Sequence, residues 1–282
     1  MNEAATELPW MWAGLAAYAL ATMLAFRSVW QLGSSGAMAL PSRSSERWIL
    51  MFLLCGVALL ASALAVRWMR LGHGPFVNLF ELLMSQLFSL GLIYSLVYWR
   101  VPRLRASAVV VLPLIWLLGT WILFLEPADS LFPPTYSNNW LWAHVGFGKI
   151  FLSFCLMAAG LSGVILLRTI PRFARSISHM SDEALDQLAW RFMILALVFD
   201  SLMLTAGAVW AQDAWGRFWS WDALETSSFI TWLSIGAAIH TRLTFKLPIR
   251  FGAVIIMAIF ALAFATYFGA PFYSEAAHKG VV

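Results

Sequence analysis

The stretch Trp210-Ala-Gln-Asp-Ala-Trp-Gly-Arg-Phe-Trp-Ser-Trp-Asp-Ala-Leu-Glu225 holds four tryptophans, one arginine and three carboxylates between two long apolar segments. Soluble proteins seldom concentrate indole rings in this way outside a core. The flanking segments are long enough to cross a bilayer as helices, and tryptophan is enriched where such helices meet the membrane surface. The stretch is therefore predicted to lie at a membrane surface, and the chain to be an all-α polytopic membrane protein.

The composition of the whole chain supports this class. Of its 282 residues, 61% are hydrophobic and only 11% are charged, and the mean hydropathy is +0.78. Soluble globular domains carry about 25% charged residues. Cys55 and Cys155 lie in apolar runs and form no Cys-x-x-Cys pair, so the cysteines favour neither a thiol redox motif nor a metal site.

Eight apolar segments are candidates for transmembrane helices, which need roughly 20 residues each. They cover about residues 10–30, 48–68, 79–99, 106–125, 142–167, 191–211, 226–243 and 250–269. Ser181 can cap an acidic first turn, which predicts a short surface helix at 181–191 that leads into the sixth span. We predict a single membrane domain over residues 1–282.

The distribution of positive residues predicts the orientation, because links rich in Lys and Arg stay in the cytoplasm. Thirteen of the 18 Lys and Arg residues lie in or beside alternate links. They are Arg27, Arg43, Arg47, Arg100, Arg103, Arg105, Arg168, Arg172, Arg175, Arg191, Arg242, Lys246 and Arg250. Both termini and the tryptophan-rich loop at 210–226 are therefore predicted to be extracytoplasmic.

Two charged residues lie inside predicted spans. Asp200 is near the middle of the sixth and Lys149 is about two turns into the fifth, which places them at similar depths in antiparallel neighbours. Because a lone charge at such a depth costs about 2.5–3.5 kcal/mol on insertion scales, we expect an interhelical ion pair.

Two histidines are candidate ligands of haem iron, for which imidazole is a good axial ligand. His144 begins the fifth span on the same side as the tryptophan-rich loop, and His240 lies near the cytoplasmic end of the seventh span. Each could instead be a polar residue at a helix end. An ionisable residue within a span is nevertheless a functional candidate.

The tryptophans at 210–221 could form either an aromatic belt or a ligand platform. A belt needs one or two tryptophans at each helix end, and Trp210, Trp215, Trp219 and Trp221 exceed that number. A row of flat, amphipathic rings suits a large planar ligand. Haem is the first candidate.

The charged residues of the same loop have two predicted roles. Arg217 is suited to a haem propionate, because a guanidinium group matches a carboxylate. Asp213, Asp222 and Glu225 are expected to brace the loop by accepting hydrogen bonds.

A resemblance to a known family rests on these residues. The pattern Trp210-Ala-x-x-Ala-Trp-Gly-x-x-Trp-x-Trp-Asp-x-x-Glu-Thr226, followed by Phe229-Ile-Thr-Trp-Leu233, closely resembles the WWD signature of the haem-handling proteins CcsA (also called ResC), CcmC and CcmF. Three further segments resemble CcsA in particular: Gly72-His-Gly-Pro-Phe-Val-Asn-Leu-Phe-Glu81, Leu185-Asp-Gln-Leu-Ala-Trp-Arg191 and Ile239-His-Thr-Arg242.

The resemblance implies a haem-binding subunit of system II cytochrome c maturation in the inner (cytoplasmic) membrane of a bacterium. It implies a partner of the CcsB or ResB type, with which the chain would form a holocytochrome c synthase, or haem lyase. Non-covalent b-type haem would pass to an external site and be presented to apocytochrome c. His144 matches the family's external histidine before the signature, and His240 matches the membrane histidine that holds haem in transit.

The chain also departs from the family pattern. Tyr273 stands where a second external histidine is expected, and His278 follows five residues later. Either could complete the external site. The departures leave a second hypothesis open, in which the chain is an electron-transfer subunit that keeps a b-type haem and serves multihaem cytochrome c partners.

Overall fold

The structure, a computed structural model, describes residues 6–34, 43–171, 173, 180–269 and 272. Within these ranges the chain forms α1 (Leu8–Ser34), α2 (Arg43–Leu71), α3 (Leu79–Arg100), α4 (Ala108–Ile122), α5 (Asn139–Leu167), α6 (Asp182–Trp215), α7 (Ala223–Thr244) and α8 (Ile249–Phe264). Short 3₁₀ turns at Pro102–Ser107 and Pro134–Tyr136 precede α4 and α5, and a π-helical turn at Ala265–Gly269 follows α8. The described residues contain no strand, which confirms the predicted all-α class.

Among the described helices, seven are long and apolar enough to cross a membrane. The exception is α7, which corresponds to the predicted seventh span. It has 22 residues, enough for a span, but Ser, Thr, His240 and Arg242 make it less apolar than its neighbours. By length and composition, seven of the eight predicted spans meet this criterion, and every predicted segment forms a helix.

The helix α6 is longer than predicted. It runs without interruption through 34 residues, or about 50 Å at 1.5 Å per residue. Ser181 caps it as predicted, with its side chain accepting a hydrogen bond from the Ala184 amide at 3.3 Å. The predicted surface helix at 181–191 is the first part of α6, because no Gly or Pro interrupts the chain between that segment and the span.

The core is centred on α5, which contacts α3, α4, α6 and α8, while α1 packs on α2 and α4. The outer faces of the helices carry exposed large apolar side chains, including Met23, Leu92, Trp99, Leu117 and Val198. Contiguous apolar surface of this kind is unusual in soluble monomers. It is the surface expected of helices that face lipid.

One end of the bundle collects the segments that carry the sequence motifs. Glu7, just before α1, forms an ion pair with Arg67 near the end of α2 at 2.7 Å. Asn138, before α5, donates to Asp213 near the end of α6 at 3.2 Å. We call this the tryptophan-rich end, because the loop between α6 and α7 lies there. Its predicted position outside the cytoplasm remains a prediction.

Candidate functional site

His144 is held by the backbone of the neighbouring helix. It lies in the second turn of α5, and its Nδ1 is 2.9 Å from the carbonyl oxygen of Met203 on α6. A carbonyl oxygen only accepts hydrogen bonds, so Nδ1 carries a proton, and in the neutral imidazole the lone pair is then on Nε2. This is the tautomer in which Nε2 can ligate a metal.

A glycine makes room for the imidazole ring. A Cβ atom on Gly207 would lie 2.6 Å from Nδ1 of His144, closer than non-bonded atoms approach. Trp210 then stacks on the same ring, with the ring centroids 6.0 Å apart and an interplanar angle of 15°. Met203, Gly207 and Trp210 are spaced by four and three residues, so one face of α6 positions the histidine.

His144 lines two cavities. The larger, of about 190 Å³, lies between α3, α5, α6, α7 and the π-helical turn. The smaller, of about 40 Å³, lies against Gly207, Trp219 and Glu225. The lining of the larger cavity is mainly apolar and aromatic, and it includes Phe76, Phe132, Tyr136, Leu141, His144, Phe151, Asp200, Met203, Trp210, Thr231, Thr266 and Tyr267.

The four tryptophans do not form one flat row. Trp210, which is 4% exposed, meets Trp215 at a centroid distance of 4.8 Å and an angle of 65°. Trp219 and Trp221 form a second edge-to-face pair, at 5.7 Å and 81°. The rings therefore include two edge-to-face pairs, Trp210 with Trp215 (the first tryptophan cluster) and Trp219 with Trp221 (the second); a role as a ligand platform stays a prediction. Aromatic rings favour such edge-to-face contacts over parallel stacks.

Trp210 of the first tryptophan cluster lines the larger cavity together with Tyr136. Tyr136, from the turn before α5, meets Trp210 edge to face at 5.1 Å. Burial raises the pKa of Tyr136, so the phenol stays protonated there.

The second cluster is open to the surroundings. Trp221 is 67% exposed and has a φ of 59°, a left-handed conformation that is uncommon for residues other than glycine. The ring of Trp221 contacts Phe229 on α7 edge to face at 6.1 Å.

The loop between α6 and α7 is shorter than the predicted segment at 210–226. Only Gly216–Asp222 is non-helical. Gly216 ends α6 with a φ of 73°, which glycine adopts readily. Asp222 caps α7 by accepting from the Glu225 amide at 2.8 Å, and Glu225 accepts from the Ser220 amide at 2.6 Å. The hydrogen bonds expected of Asp222 and Glu225 are present.

The other predicted ligand residues lie apart from His144. Arg217 is exposed, and the ion pairs formed among the described residues do not include it. His240 is exposed near the far end of α7, about 24 Å along the helix axis from Leu224 beside the smaller cavity. Tyr273 and His278 lie outside the described residues. Phe272, just before Tyr273, stacks on Trp121 at 6.1 Å.

The predicted ion pair between Asp200 and Lys149 does not form. Lys149 donates instead to Ser85 Oγ on α3 at 2.9 Å. Asp200 lines the larger cavity, and neither of its carboxylate oxygens has a hydrogen-bond partner among the described residues. The prediction was wrong because equal depth does not place two side chains on facing sides of their helices.

Sequence analysis missed a buried ion cluster at the tryptophan-rich end. Arg67 pairs with Glu7 at 2.7 Å and with Glu81 at 2.8 Å, and all three side chains are buried. Glu81 also accepts from Ser130 Oγ at 2.6 Å. An available signal was that Glu7, Arg67, Arg70 and Glu81 all fall at predicted span ends on one side. The ion cluster also explains how Arg67 and Arg70 remain on the predicted external side, because carboxylates neutralise both guanidinium groups.

The ion cluster governs the charge of Glu7. Burial alone raises the pKa of this carboxyl, but hydrogen bonds from its own backbone amide and from the Arg70 and Arg67 guanidinium groups lower it by more. The net pKa lies below its ordinary value of 4.5, so Glu7 stays ionised when the cluster is formed.

A family match covers most of the chain and includes this site. The pattern of the cytochrome C assembly protein family matches residues 76–278. The chain belongs to that family. The resemblance inferred from the tryptophan-rich motif is thereby confirmed, and this member of the cytochrome c assembly family is a multi-pass membrane protein.

Similar family members are curated as cytochrome c biogenesis protein CcsA. The protein from Prochlorococcus marinus strain MIT 9312 is 30% identical over 251 residues, which cover 78% of this chain and 80% of the relative. Strain MIT 9515 has a relative that is 28% identical over 270 residues, or 86% of each chain. The Chlamydomonas reinhardtii protein is 30% identical over 230 residues, with 78% and 65% covered.

The solved structure of cytochrome c heme lyase CcmF has the same fold. The match has a TM-score of 0.65 at 18% sequence identity and covers 95% of this chain. It covers 47% of CcmF, so the chain spans about half the length of that protein.

Proposed function

We propose that this protein is a haem-binding membrane subunit of a cytochrome c maturation complex, and that it presents haem at its external face for attachment to apocytochrome c. The observation that carries the proposal is the position of His144. A backbone carbonyl orients the imidazole so that Nε2 has the lone pair, and aromatic cavities flank the ring. Membership of the cytochrome c assembly family supports the same role.

The residues around His144 fit haem in their chemistry. Imidazole is a common axial ligand of haem iron, and Trp210, Tyr136 and Phe132 provide apolar aromatic walls. The larger cavity, of about 190 Å³, is smaller than the roughly 300–1,000 Å³ that enclose a drug-sized ligand. Haem would therefore lie partly outside the cavity, against the exposed cluster of Trp219 and Trp221.

The other residues predicted for the haem site would act according to their places in the chain. Arg217 is exposed in the same loop and could reach a propionate carboxylate there. Asp222 would hold the loop in place as the cap of α7. Tyr273 or His278 would provide the second external ligand.

The predicted membrane site requires another chain. His240 is exposed on α7, so a second ligand for haem at that depth would come from a CcsB- or ResB-like partner. The complex would act in the inner membrane of a bacterium, with the tryptophan-rich end outside.

The chain contributes positioning rather than a nucleophile. When bound, haem supplies the vinyl groups that react with the cysteine thiols of the apocytochrome. His144 and the two tryptophan clusters would fix the orientation of the haem before the cysteine thiols arrive. Holding reactants in the correct geometry lowers a barrier by removing the entropy of alignment.

The test is the reduced-minus-oxidised visible spectrum of the purified protein, with and without the partner. We expect His144→Ala to lose the external haem signal, while His240→Ala loses only haem held in the membrane. The control is His179→Ala, in the link between the predicted fifth and sixth spans, which should retain the wild-type spectrum. Equal spectra from the wild type and His144→Ala would contradict the proposal.

A second experiment distinguishes maturation from the electron-transfer hypothesis. A deletion strain that fails to attach haem to any cytochrome c supports maturation. Normal attachment in that strain, together with a tightly held haem that titrates reversibly, would support an electron-transfer subunit.

A further inference from the structure

The carboxyl group of Asp200 is buried in the membrane-spanning part of α6. The residue is 0% exposed, and both side-chain oxygens lack hydrogen-bond partners among the described residues. Lys149, the cation predicted to neutralise it, is engaged by Ser85. An ionised carboxylate in such surroundings requires a compensating positive charge or a hydrogen-bond donor.

Asp200 lies at the deep end of the larger cavity. It is on the same face of α6 as Met203 and Trp210, and the ten residues to Trp210 place it about 15 Å from Trp210 along the helix axis. The cavity therefore extends from Trp210 at the tryptophan-rich end to the buried carboxyl group of Asp200.

Neutral oxygen atoms line the same cavity. The hydroxyl groups of Thr231 on α7 and Thr266 in the π-helical turn are 3.1 Å apart, and both residues line the cavity together with Ser228. The π-helical turn at Ala265–Gly269 interrupts the regular α-helical hydrogen bonding after α8. Non-α backbone that lines a cavity is where membrane proteins coordinate Na⁺ through carbonyl oxygens.

We propose that the deep end of this cavity binds a monovalent alkali cation, Na⁺ being the best match, between Asp200 and the hydroxyl groups of Thr231 and Thr266. One carboxylate balances one positive charge. Sites for Ca²⁺ generally use several carboxylates, and the described residues contain no cluster of three or more His, Cys, Asp or Glu side chains that could hold a metal. The cation site shares this cavity with the proposed haem site but involves other residues, and its test does not depend on haem binding.

The direct test is calorimetric titration of NaCl into the detergent-purified protein, in choline chloride at constant ionic strength. We expect saturable binding of one Na⁺ per chain, and its loss in Asp200→Asn. The matched control is Asp213→Asn, the same change at an exposed position of α6, which should bind as the wild type does. Absence of saturable binding to the folded wild type, or unchanged binding to Asp200→Asn, would overturn the proposal.

A second pair of variants removes neutral ligands. Thr231→Val should weaken Na⁺ binding at least about tenfold, or about 1.4 kcal/mol, whereas Thr241→Val on an exposed face of the same helix should not change it. Infrared spectroscopy provides a readout that does not depend on calorimetry. A carboxylic acid band that is lost in Asp200→Asn but is insensitive to Na⁺ would mean that a proton neutralises Asp200, and the cation site would be rejected.

Discussion

At the scale of single residues, the orientation of His144 depends on two contacts with α6 and on the absence of a side chain at Gly207. The Met203 carbonyl selects the tautomer, Trp210 covers one face of the ring, and Gly207 leaves the space that the ring occupies. The three contacts restrict the imidazole before any ligand binds. Preorganisation of this kind reduces the entropy lost on binding.

Gly207→Ala tests whether this space matters. An alanine inside a helix normally stabilises a protein by roughly 0.5–1 kcal/mol relative to glycine, but here the new methyl group would displace the His144 ring. We expect no such gain in thermal stability, and a loss of the haem signal that depends on His144. The control is Gly146→Ala on α5, where a Cβ would meet no atom within 4 Å.

Gly146→Ala should show the ordinary gain in stability and retain the haem spectrum. If both alanine variants were stabilised equally and bound haem alike, Gly207 would not be needed to position His144. The stability comparison holds even in the absence of haem, so it remains informative if the proposed function is wrong.

At the scale of elements, the turn between α6 and α7 is fixed at both ends by helix caps. Gly216 ends α6 in a left-handed conformation, and Asp222 begins α7 with a side-chain hydrogen bond to the Glu225 amide. Between them, the Ser220 amide is held by Glu225. The exposed Trp221 is therefore presented from a short, closely bonded turn.

Asp222→Ala removes the cap of α7. Loss of an N-cap typically costs about 0.5–2 kcal/mol, and we expect a decrease of that size in the free energy of unfolding, with faster proteolytic cleavage within Gly216–Asp222. Asp222→Asn keeps a side-chain oxygen that can accept the same hydrogen bond and should remain near the wild type. Equal cleavage rates in the two variants would show that the cap does not hold the turn.

At the scale of the whole molecule, a buried ion cluster ties the start of α1 to α2, α3 and the segment before α5. Arg67 contacts Glu7 and Glu81 and also donates to the carbonyl oxygen of Ala128 at 2.5 Å. That segment continues to Phe132 and Tyr136 in the lining of the larger cavity. The cluster therefore links the packing of the bundle to the shape of the candidate site.

Arg67→Met should be strongly destabilising, because it leaves the buried Glu81 carboxylate without its cation and leaves Glu7 with Arg70 alone. Removal of one partner of a buried ion pair typically costs about 3–5 kcal/mol. The measurement is the free energy of unfolding in mixed detergent. Arg105→Met is the matched control, since Arg105 pairs with Glu46 in a partly exposed bridge, and such pairs contribute about 0–1 kcal/mol. Similar losses in the two variants would contradict a special role for the cluster.

The amino-acid sequence alone determined the class of the protein, the approximate positions of its helices, its family and the Ser181 cap of α6. Each of these properties depends either on residues close together in the chain or on a sum over the residues of one segment. Transfer of apolar residues from water sets which segments become spans, and a capping side chain acts within a few residues of its own position. The tryptophan-rich motif could be recognised because its residues are close together in the chain.

Only the tertiary structure decided which side chains face each other. Helix rotation placed Lys149 toward Ser85 rather than Asp200, brought Gly207 against His144, and divided the tryptophans into two clusters. Residues distant in the chain, such as Glu7 and Glu81, share one arginine for the same reason. Depth in a membrane follows from sequence position, but the direction of a side chain depends on how several helices pack together, and that is a property of the whole bundle.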